Sequence, residues 1–133
     1  MKTYEVIRAV ELEIAGIPSV QALQFYRRNK VHGACKNCIF LVGDWVTSKP
    51  NHMFLGSPVE TINGVYRVSI HGDLTQVEEI FSLAEDISEK FSRKALDNGI
   101  TFLGAEIGNI FSVEQETRTQ LPITIYFKFT KEF

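Results

Sequence analysis

The C-terminal segment of the chain, from Leu121 onward, alternates between large apolar and polar side chains. The apolar positions of one parity are Ile123, Ile125, Phe127 and Phe129. The polar positions between them are Thr124, Tyr126, Lys128 and Thr130. A period of two is typical of a β-strand, because successive side chains point to opposite faces of the sheet. The chain is therefore expected to form a sheet that buries one face and presents a mixed face to a second environment.

One long amphipathic helix is predicted to begin near the sequence DLTQVEE. Thr75 and Glu78 have the spacing of a capping box, and Asn98 with Gly99 supplies a stop signal. Apolar residues recur at helical spacing at Val77, Ile80, Phe81, Ala84, Ile87, Phe91 and Ala95. The opposite face is charged, acidic in its early turns and basic in its late turns, which the helix dipole favours. A solvated surface accounts for all of these charges.

The N-terminal segment, residues 3–15, favours a helix. Val6, Ile7, Val10 and Ile14 lie on one helical stripe, and Gly16 follows where a helix would stop. A strand is the alternative, because several apolar residues of this segment also share one parity. The sequence leaves these two structures open.

The middle of the chain predicts strands. The sequence SVQALQFY after Pro18 fits either a short strand or a second helical piece. CIFLVGDWV, which starts at Cys38, is rich in β-branched and aromatic residues and predicts a buried strand with a bulge at Gly43. Between VETI and VYRVSIH, the dipeptide Asn63-Gly64 is the strongest local signal for a β-hairpin turn.

The order of elements predicts the fold class. Residues 100–113 indicate a strand that is bulged or bent at Gly104 and Gly108, and a polar loop joins it to the final strand. The prediction is an α+β fold, with an antiparallel sheet of about five strands and an N-terminal helix and one long helix packed on it. With 133 residues and no linker, the chain is expected to form a single domain spanning residues 1–133.

The composition is typical of a globular protein and argues against several functions. The net charge of −2 gives no basic footprint for nucleic acid, apart from the local cluster YRRNK that begins at Tyr26. No apolar run is long enough to cross a membrane. Glutamates at positions 5, 11 and 13 interrupt any secretory signal. A cytoplasmic protein is expected, in which a disulfide between Cys35 and Cys38 would be unusual.

The segment HGACKNC carries the only short motif that resembles a chemical site. Its cysteines precede a predicted strand rather than a helix, which argues against a redox pair. Four zinc ligands are available in the set His32, Cys35, Cys38 and His52, although their spacing matches no standard zinc framework. The favoured interpretation is a turn that enters the strand, with Cys38 packed as a small apolar residue. No cofactor and no catalytic residue are predicted.

The element order, the chain length and the terminal strand ITIYFKFTKEF resemble the tail terminator (tail completion) proteins of long-tailed bacteriophages. This resemblance implies a non-enzymatic ring, usually a homohexamer, that caps the tail tube and stops its polymerisation. The implied partners are the tail tube protein and the head-tail connector protein, without membrane or sequence-specific nucleic acid. The implied location is the host cytoplasm during assembly and then the virion tail.

A ring requires two different patches that complement each other on neighbouring subunits. The predicted basic patch is Arg27, Arg28 and Lys30. The predicted acidic partner is Glu114 with Glu116, or the early turns of the long helix. Further contact residues are expected at Arg118, Tyr126 and Lys128, on the mixed face of the final strand and in the loop before it.

Two alternative functions stay open. The first is a small-ligand-binding α+β domain, in which the long helix crosses a curved sheet and Trp45, Phe54 and Tyr66 line a pocket. The second is a zinc-stabilised interaction module that uses the four ligands around the CxxC motif.

Overall fold

A computed structural model of the protein describes residues 3–27, 38–51, 59–92, 99–112 and 118–132. The helices are α1 (Thr3–Ala15), α2 (Pro18–Gln21) and α3 (Val77–Lys90), and a 3-10 turn (Leu74–Gln76) precedes α3. The strands are β1 (Gln24–Arg27), β2 (Phe40–Asn51), β3 (Val59–Asp73), β4 (Ile100–Ile107), β5 (Phe111–Ser112) and β6 (Arg118–Glu132). No helix among these residues is long and apolar enough to cross a membrane.

The strands form one sheet in the order β1-β2-β3-β6-β4, and β5 pairs with one end of β6. β1 and β2 run parallel, and the other described pairs are antiparallel. The predicted α+β fold is thereby confirmed, with one parallel pair added at the edge of the sheet. The segment after Pro18 forms both structures that its sequence fits, first the short helix α2 and then β1.

Both longer helices pack on the same face of the sheet. α1 buries Val6, Val10 and Ile14, so the helix that the N-terminal pattern favours is confirmed. The same hydrophobic cluster contains Ile80, Leu83, Ala84 and Ile87 of α3 and Leu41, Tyr66, Val68, Ile70, Leu121, Ile123, Ile125, Phe127 and Phe129 of the sheet. An ion pair of 3.6 Å between Lys90 Nζ and Glu13 Oε2 joins α3 to α1. The apolar parity of the final strand is therefore the core face of the molecule.

The predicted hairpin turn at Asn63-Gly64 is wrong, because β3 runs without interruption through both residues. Asn63 pairs with Lys49 of β2 on one side and Lys128 of β6 on the other. Gly64 is required by packing instead of by a turn. A Cβ at this position would lie 2.6 Å from Cε2 and Cζ of the Phe127 ring, so the absence of a side chain makes room for that ring.

The start of α3 also differs from the prediction. Thr75 and Glu78 do not form the capping box. Asp73 and Gln76 form it instead, at the 3-10 turn that precedes the helix. Asp73 Oδ1 accepts a hydrogen bond of 3.3 Å from the Thr75 N–H, and Gln76 Oε1 accepts one of 3.0 Å from the Asp73 N–H. This reciprocal pair satisfies backbone donors that would otherwise lack partners at the helix start.

The buried stripe of α3 is shifted from its predicted position. Phe81 is 38% exposed, whereas Leu83, which the predicted stripe omits, is buried. The helix ends at Lys90 instead of continuing to Asn98, and residues 93–98 lie outside the described part of the chain. α3 therefore presents an exposed aromatic side chain on the surface that faces away from the sheet.

The predicted bulge at Gly43 is wrong in position. Gly43 pairs regularly with Val68, and the register of β2 against β3 shifts between Trp45 and Thr47. Gly43 is needed for packing, because a Cβ there would collide with the hydroxyl of Tyr66. The glycine leaves the space that this buried hydroxyl occupies.

The predicted irregularity at Gly104 is confirmed. The register of β4 against β6 shifts between Phe102 and Gly104, where the glycine adopts a φ of 143° that residues with a Cβ rarely adopt. The chain then leaves β4, and the Gly108 N–H donates a hydrogen bond of 2.8 Å to the carbonyl of Pro122. The bulge interrupts the regular pairing of β4, and this bond holds the chain against β6 before β5.

A polar pair lies inside the core between α1 and the sheet. Glu11 is 1% exposed and Tyr66 is fully buried. The Tyr66 hydroxyl donates a hydrogen bond of 3.0 Å to Glu11 Oε2. Buried polar groups require such partners, because an unpaired group loses its hydration without compensation. The bond therefore ties α1 to the centre of β3 at a fixed position.

Candidate assembly surfaces

The face of the sheet opposite α1 and α3 is the first candidate surface, and we call it the open face. Strand alternation and register place one set of side chains on it. Its described members include Tyr26, Phe40, Val42, Asp44, Val65, Arg67, Ser69, His71, Arg118, Gln120, Pro122, Thr124, Tyr126, Lys128 and Glu106. This set is the mixed face that the alternation of the final strand predicts.

A row of polar residues crosses the open face from β2 to β4. Arg67 of β3 lies opposite Asp44 of β2 and Thr124 of β6, and Thr124 lies opposite Glu106 of β4. Asp44, Arg67 and Glu106 are exposed. Among the described residues, no carboxylate forms an ion pair with Arg67. The row therefore presents a guanidinium to solvent at the centre of the sheet.

Tyr126 and Glu106 form a hydrogen-bonded pair beside this row. The Tyr126 hydroxyl donates a bond of 3.2 Å to Glu106 Oε2. This bond stabilises the neutral phenol and is the main cause that raises the pKa of Tyr126, followed by desolvation and by the negative charge of Glu106. The positive charge of Arg67 acts in the opposite direction. Tyr126 is therefore a neutral hydrogen-bonding group on this surface.

An aromatic cluster lies at the end of the open face nearest β1. Phe40 is 4% exposed, and the Tyr26 ring contacts it edge-on at 5.6 Å between centroids. The His71 ring stacks on Phe40 at 4.8 Å with an interplanar angle of 6°. The Arg118 guanidinium carbon lies 5.1 Å from the centroid of the same ring, within the range of a cation–π interaction.

The charge of this cluster resides on Arg118. Burial lowers the pKa of His71, and the nearby positive charge of Arg118 lowers it further. The His71 imidazole is therefore neutral at pH 7. An arginine held over an aromatic ring in this way is pre-organised for contact with a carboxylate, because its planar group loses little freedom on binding.

The outer side of α3 is the second candidate surface, and we call it the acidic face. It lies on the opposite side of the molecule from the open face, because α3 packs on the sheet through its other side. The exposed carboxylates are Glu78, Glu79, Glu85, Asp86 and Glu89. Within the described chain, none of these five forms an ion pair, and the helix's Lys90 is bonded to Glu13.

Two grooves run beside α3 where it meets α2. Their volumes are about 400 Å³ and about 500 Å³, and Ser19 and Asp86 line both of them. The first has an apolar floor that includes Leu23, Ile39 and Leu83 under a wall of carboxylates. This arrangement suits the stem and the charged end of a long cationic side chain.

The sequence-predicted contact residues divide into two groups. Arg118, Tyr126 and Lys128 share the open face, but Arg118 and Lys128 lie roughly 33 Å apart along β6. Arg27 is the last residue of β1 and pairs with Gly43. Arg28, Lys30, Glu114 and Glu116 lie outside the described residues. Their contact roles stay predictions.

Three of the four predicted metal ligands lie outside the described residues: His32, Cys35 and His52. Cys38 is exposed and disulfide-bonded, so it is not packed as a small apolar residue before the strand. This bond is contrary to the expectation that a disulfide would be unusual in this chain. The described residues contain no group of three His, Cys, Asp or Glu side chains that could hold a metal ion. Zinc binds a cysteine as its thiolate, so the four-ligand site requires Cys38 in its reduced form and stays a prediction for the reduced chain.

The described residues that were predicted to line a ligand pocket, Trp45 and Tyr66, lie in or against the core. Tyr66 is fully buried, and the Trp45 ring packs edge-on against Phe127 at 5.5 Å between centroids. Phe54 lies outside the described residues. Tyr66 belongs to the core cluster, and Trp45 packs against that cluster.

The sequence did not single out Arg67 or Glu106 as contact residues. The alternation of VYRVSIH did indicate that Arg67 lies on the polar parity of its strand. The alternation could not predict the register that aligns Arg67 with Thr124 and Glu106, because those residues are more than thirty positions away in the sequence.

The fold of this chain is shared with solved structures. No protein-family model and no curated protein sequence matches the chain. A chain from the virion of a native gene transfer agent particle has a similar structure, with a TM-score of 0.63, 11% sequence identity and coverage of 94% of both chains. A second solved chain has a TM-score of 0.59 and 14% identity, covering 97% of this chain and 96% of its own length. At these identities the likeness establishes a common fold.

Proposed function

We propose that this chain is a structural, non-enzymatic protein of a phage-like virion. The observation that carries the proposal is the fold shared with a gene transfer agent virion chain over 94% of both chains. Such extensive coverage means that the likeness spans most of the chain rather than one motif. The inference from fold to function is an analogy, so it requires the direct tests given below.

The more specific role that we propose is that of a tail terminator. The element order on which the resemblance to tail terminators rests is the order α1, strands, α3 and a terminal strand pair. In this role the chain forms a homohexameric ring that caps the tail tube and meets the head-tail connector protein. It assembles in the host cytoplasm and remains in the virion tail.

Two surfaces of different character support a ring. A closed ring of identical subunits uses a head-to-tail interface, in which one patch of each subunit contacts a different patch of the next. The open face and the acidic face lie on opposite sides of the molecule and differ in charge and shape. A subunit with two such surfaces can contact one neighbour on each side.

The terminator role is tested with the tail tube protein of the particle that carries this chain. Tube protein is polymerised with and without the purified chain, and tube lengths are measured in electron micrographs. We expect shorter tubes with a ring at one end, because a terminator blocks further addition of tube subunits. An unrelated acidic protein at equal concentration is the control. Tubes of unchanged length without end rings would contradict the terminator role.

A further inference from the structure

We propose that neighbouring copies join by docking the acidic face of one copy onto the open face of the next. This proposal rests on the proposed ring and identifies its interface. The occupant of the open face is therefore a second copy of this chain, presented through α3. The argument depends on charge, on apolar anchors and on spacing.

Charge complementarity is the first argument. Arg67 and Lys128 are exposed on the open face, and neither forms an ion pair with another described residue. Together with Arg118 they outnumber the two exposed carboxylates of this face, Asp44 and Glu106. The acidic face carries five exposed carboxylates that are equally unpaired within the described chain. Opposite charges on two surfaces favour their encounter and fix their relative position. Two acidic faces would repel each other, which disfavours a symmetric dimer through α3.

An apolar anchor is the second argument. Phe81 is 38% exposed and lies three residues after Glu78 and four before Glu85 on α3, and Leu74, in the 3-10 turn that precedes the helix, is 51% exposed. Residues at these spacings lie on one side of a helix. A surface aromatic side chain ringed by charge is typical of the centre of a protein interface. The half-buried Val65 and Pro122 offer apolar contacts on the open face.

The spacing of the charges is the third argument. Glu78 and Glu85 are seven residues apart, which is about 10 Å along a helix. Lys128 lies four positions from Thr124, the residue paired with Arg67, so Arg67 and Lys128 are roughly 14 Å apart on the sheet. Long, flexible basic side chains cover the difference. One helix can therefore meet both cations at once.

The test reverses the charge of each face separately. The open-face variant carries Arg67→Glu and Lys128→Glu, and the α3 variant carries Glu78→Lys and Glu85→Lys. All four residues are exposed, so the far-ultraviolet circular dichroism of each variant should match that of wild type. We expect each variant to need a protomer concentration roughly 100-fold or more above that of wild type to assemble. Arg8→Glu, on an exposed position of α1, is the matched control and should assemble normally.

The decisive readout is rescue by the matching reversal. A chain that carries all four substitutions has two inverted faces that complement each other again, so it should form rings like wild type. An equimolar mixture of the open-face and α3 variants should form rings that contain both. Assembly is measured by analytical ultracentrifugation at low and high salt, and it should weaken at high salt.

The possible failures are distinguishable. Single-face variants that assemble like wild type would overturn the docking of α3 on the open face and leave the proposed ring intact. Loss of assembly without rescue in the fourfold variant would also overturn this pairing. A wild-type chain that never assembles would overturn both the docking and the proposed ring.

Discussion

Replacing Phe127 by alanine is expected to lower the free energy of unfolding by about 3–5 kcal/mol, which is typical of a buried phenylalanine. Phe127 is fully buried at the centre of β6. Its ring contacts Trp45 at 5.5 Å, and Phe102 and Phe129 at 6.3 Å each, between centroids. Alanine would leave a cavity among these rings, and the surrounding strands are held by pairing on both sides and can collapse only in part.

The measurement is urea unfolding followed by circular dichroism, with every variant at the same protomer concentration because association adds apparent stability. Phe127→Leu is the graded control. Leucine keeps a large apolar side chain, so Phe127→Leu should lower the free energy of unfolding clearly less than Phe127→Ala does. A Phe127→Ala protein within about 0.5 kcal/mol of wild type would contradict the packing described for this ring.

Replacing Gly64 by alanine is expected to cost about 1–3 kcal/mol, the usual range for an overpacked core. A loss of stability would be informative, because replacing glycine by alanine ordinarily strengthens a strand interior. Here a Cβ would lie 2.6 Å from two atoms of the Phe127 ring. The ring cannot move aside without disturbing its contacts with Trp45 and Phe102.

The double variant Gly64→Ala with Phe127→Leu separates packing from backbone conformation. If the cost of Gly64→Ala comes from collision with the ring, the smaller leucine should reduce it, and the two effects should be non-additive. If residues 63 and 64 formed a hairpin turn, the cost would come from backbone conformation and would persist unchanged in the leucine background. Additive effects would therefore contradict the continuous strand β3.

The sequence predicted the parts of the fold that periodicity determines. The alternation of the final strand identified the buried residues Ile123, Ile125, Phe127 and Phe129. The stripe of α1 identified Val6, Val10 and Ile14 in the same way. In each segment the pattern recurs over several residues, so a single departure does not change the assignment.

Local signals failed where partners distant in the sequence decide the structure. Asn63-Gly64 has the composition of a tight turn, yet Lys49 and Lys128 pair with Asn63 from both sides and hold it extended. Phe81 fits the helical period, but the packing of α3 rotates the buried stripe toward Leu83. Neither outcome is encoded in the neighbouring residues alone.

The candidate surfaces were predictable in part. The mixed parity of β6 indicated a contact face and identified Tyr126 and Lys128 on it. The position of Arg67 at its centre, and the separation of this face from the acidic face by the thickness of the molecule, depend on strand register and helix packing. The acidic charges themselves were visible in the sequence, where a solvated surface accounted for them.

The central claim, that this chain closes into a ring, is tested most directly by native mass spectrometry of the wild-type protein over a range of concentrations. The predicted result is one assembly of six chains that forms as the concentration rises, because a closed head-to-tail ring satisfies both faces of every subunit. A protein that remains monomeric at every concentration would contradict the claim.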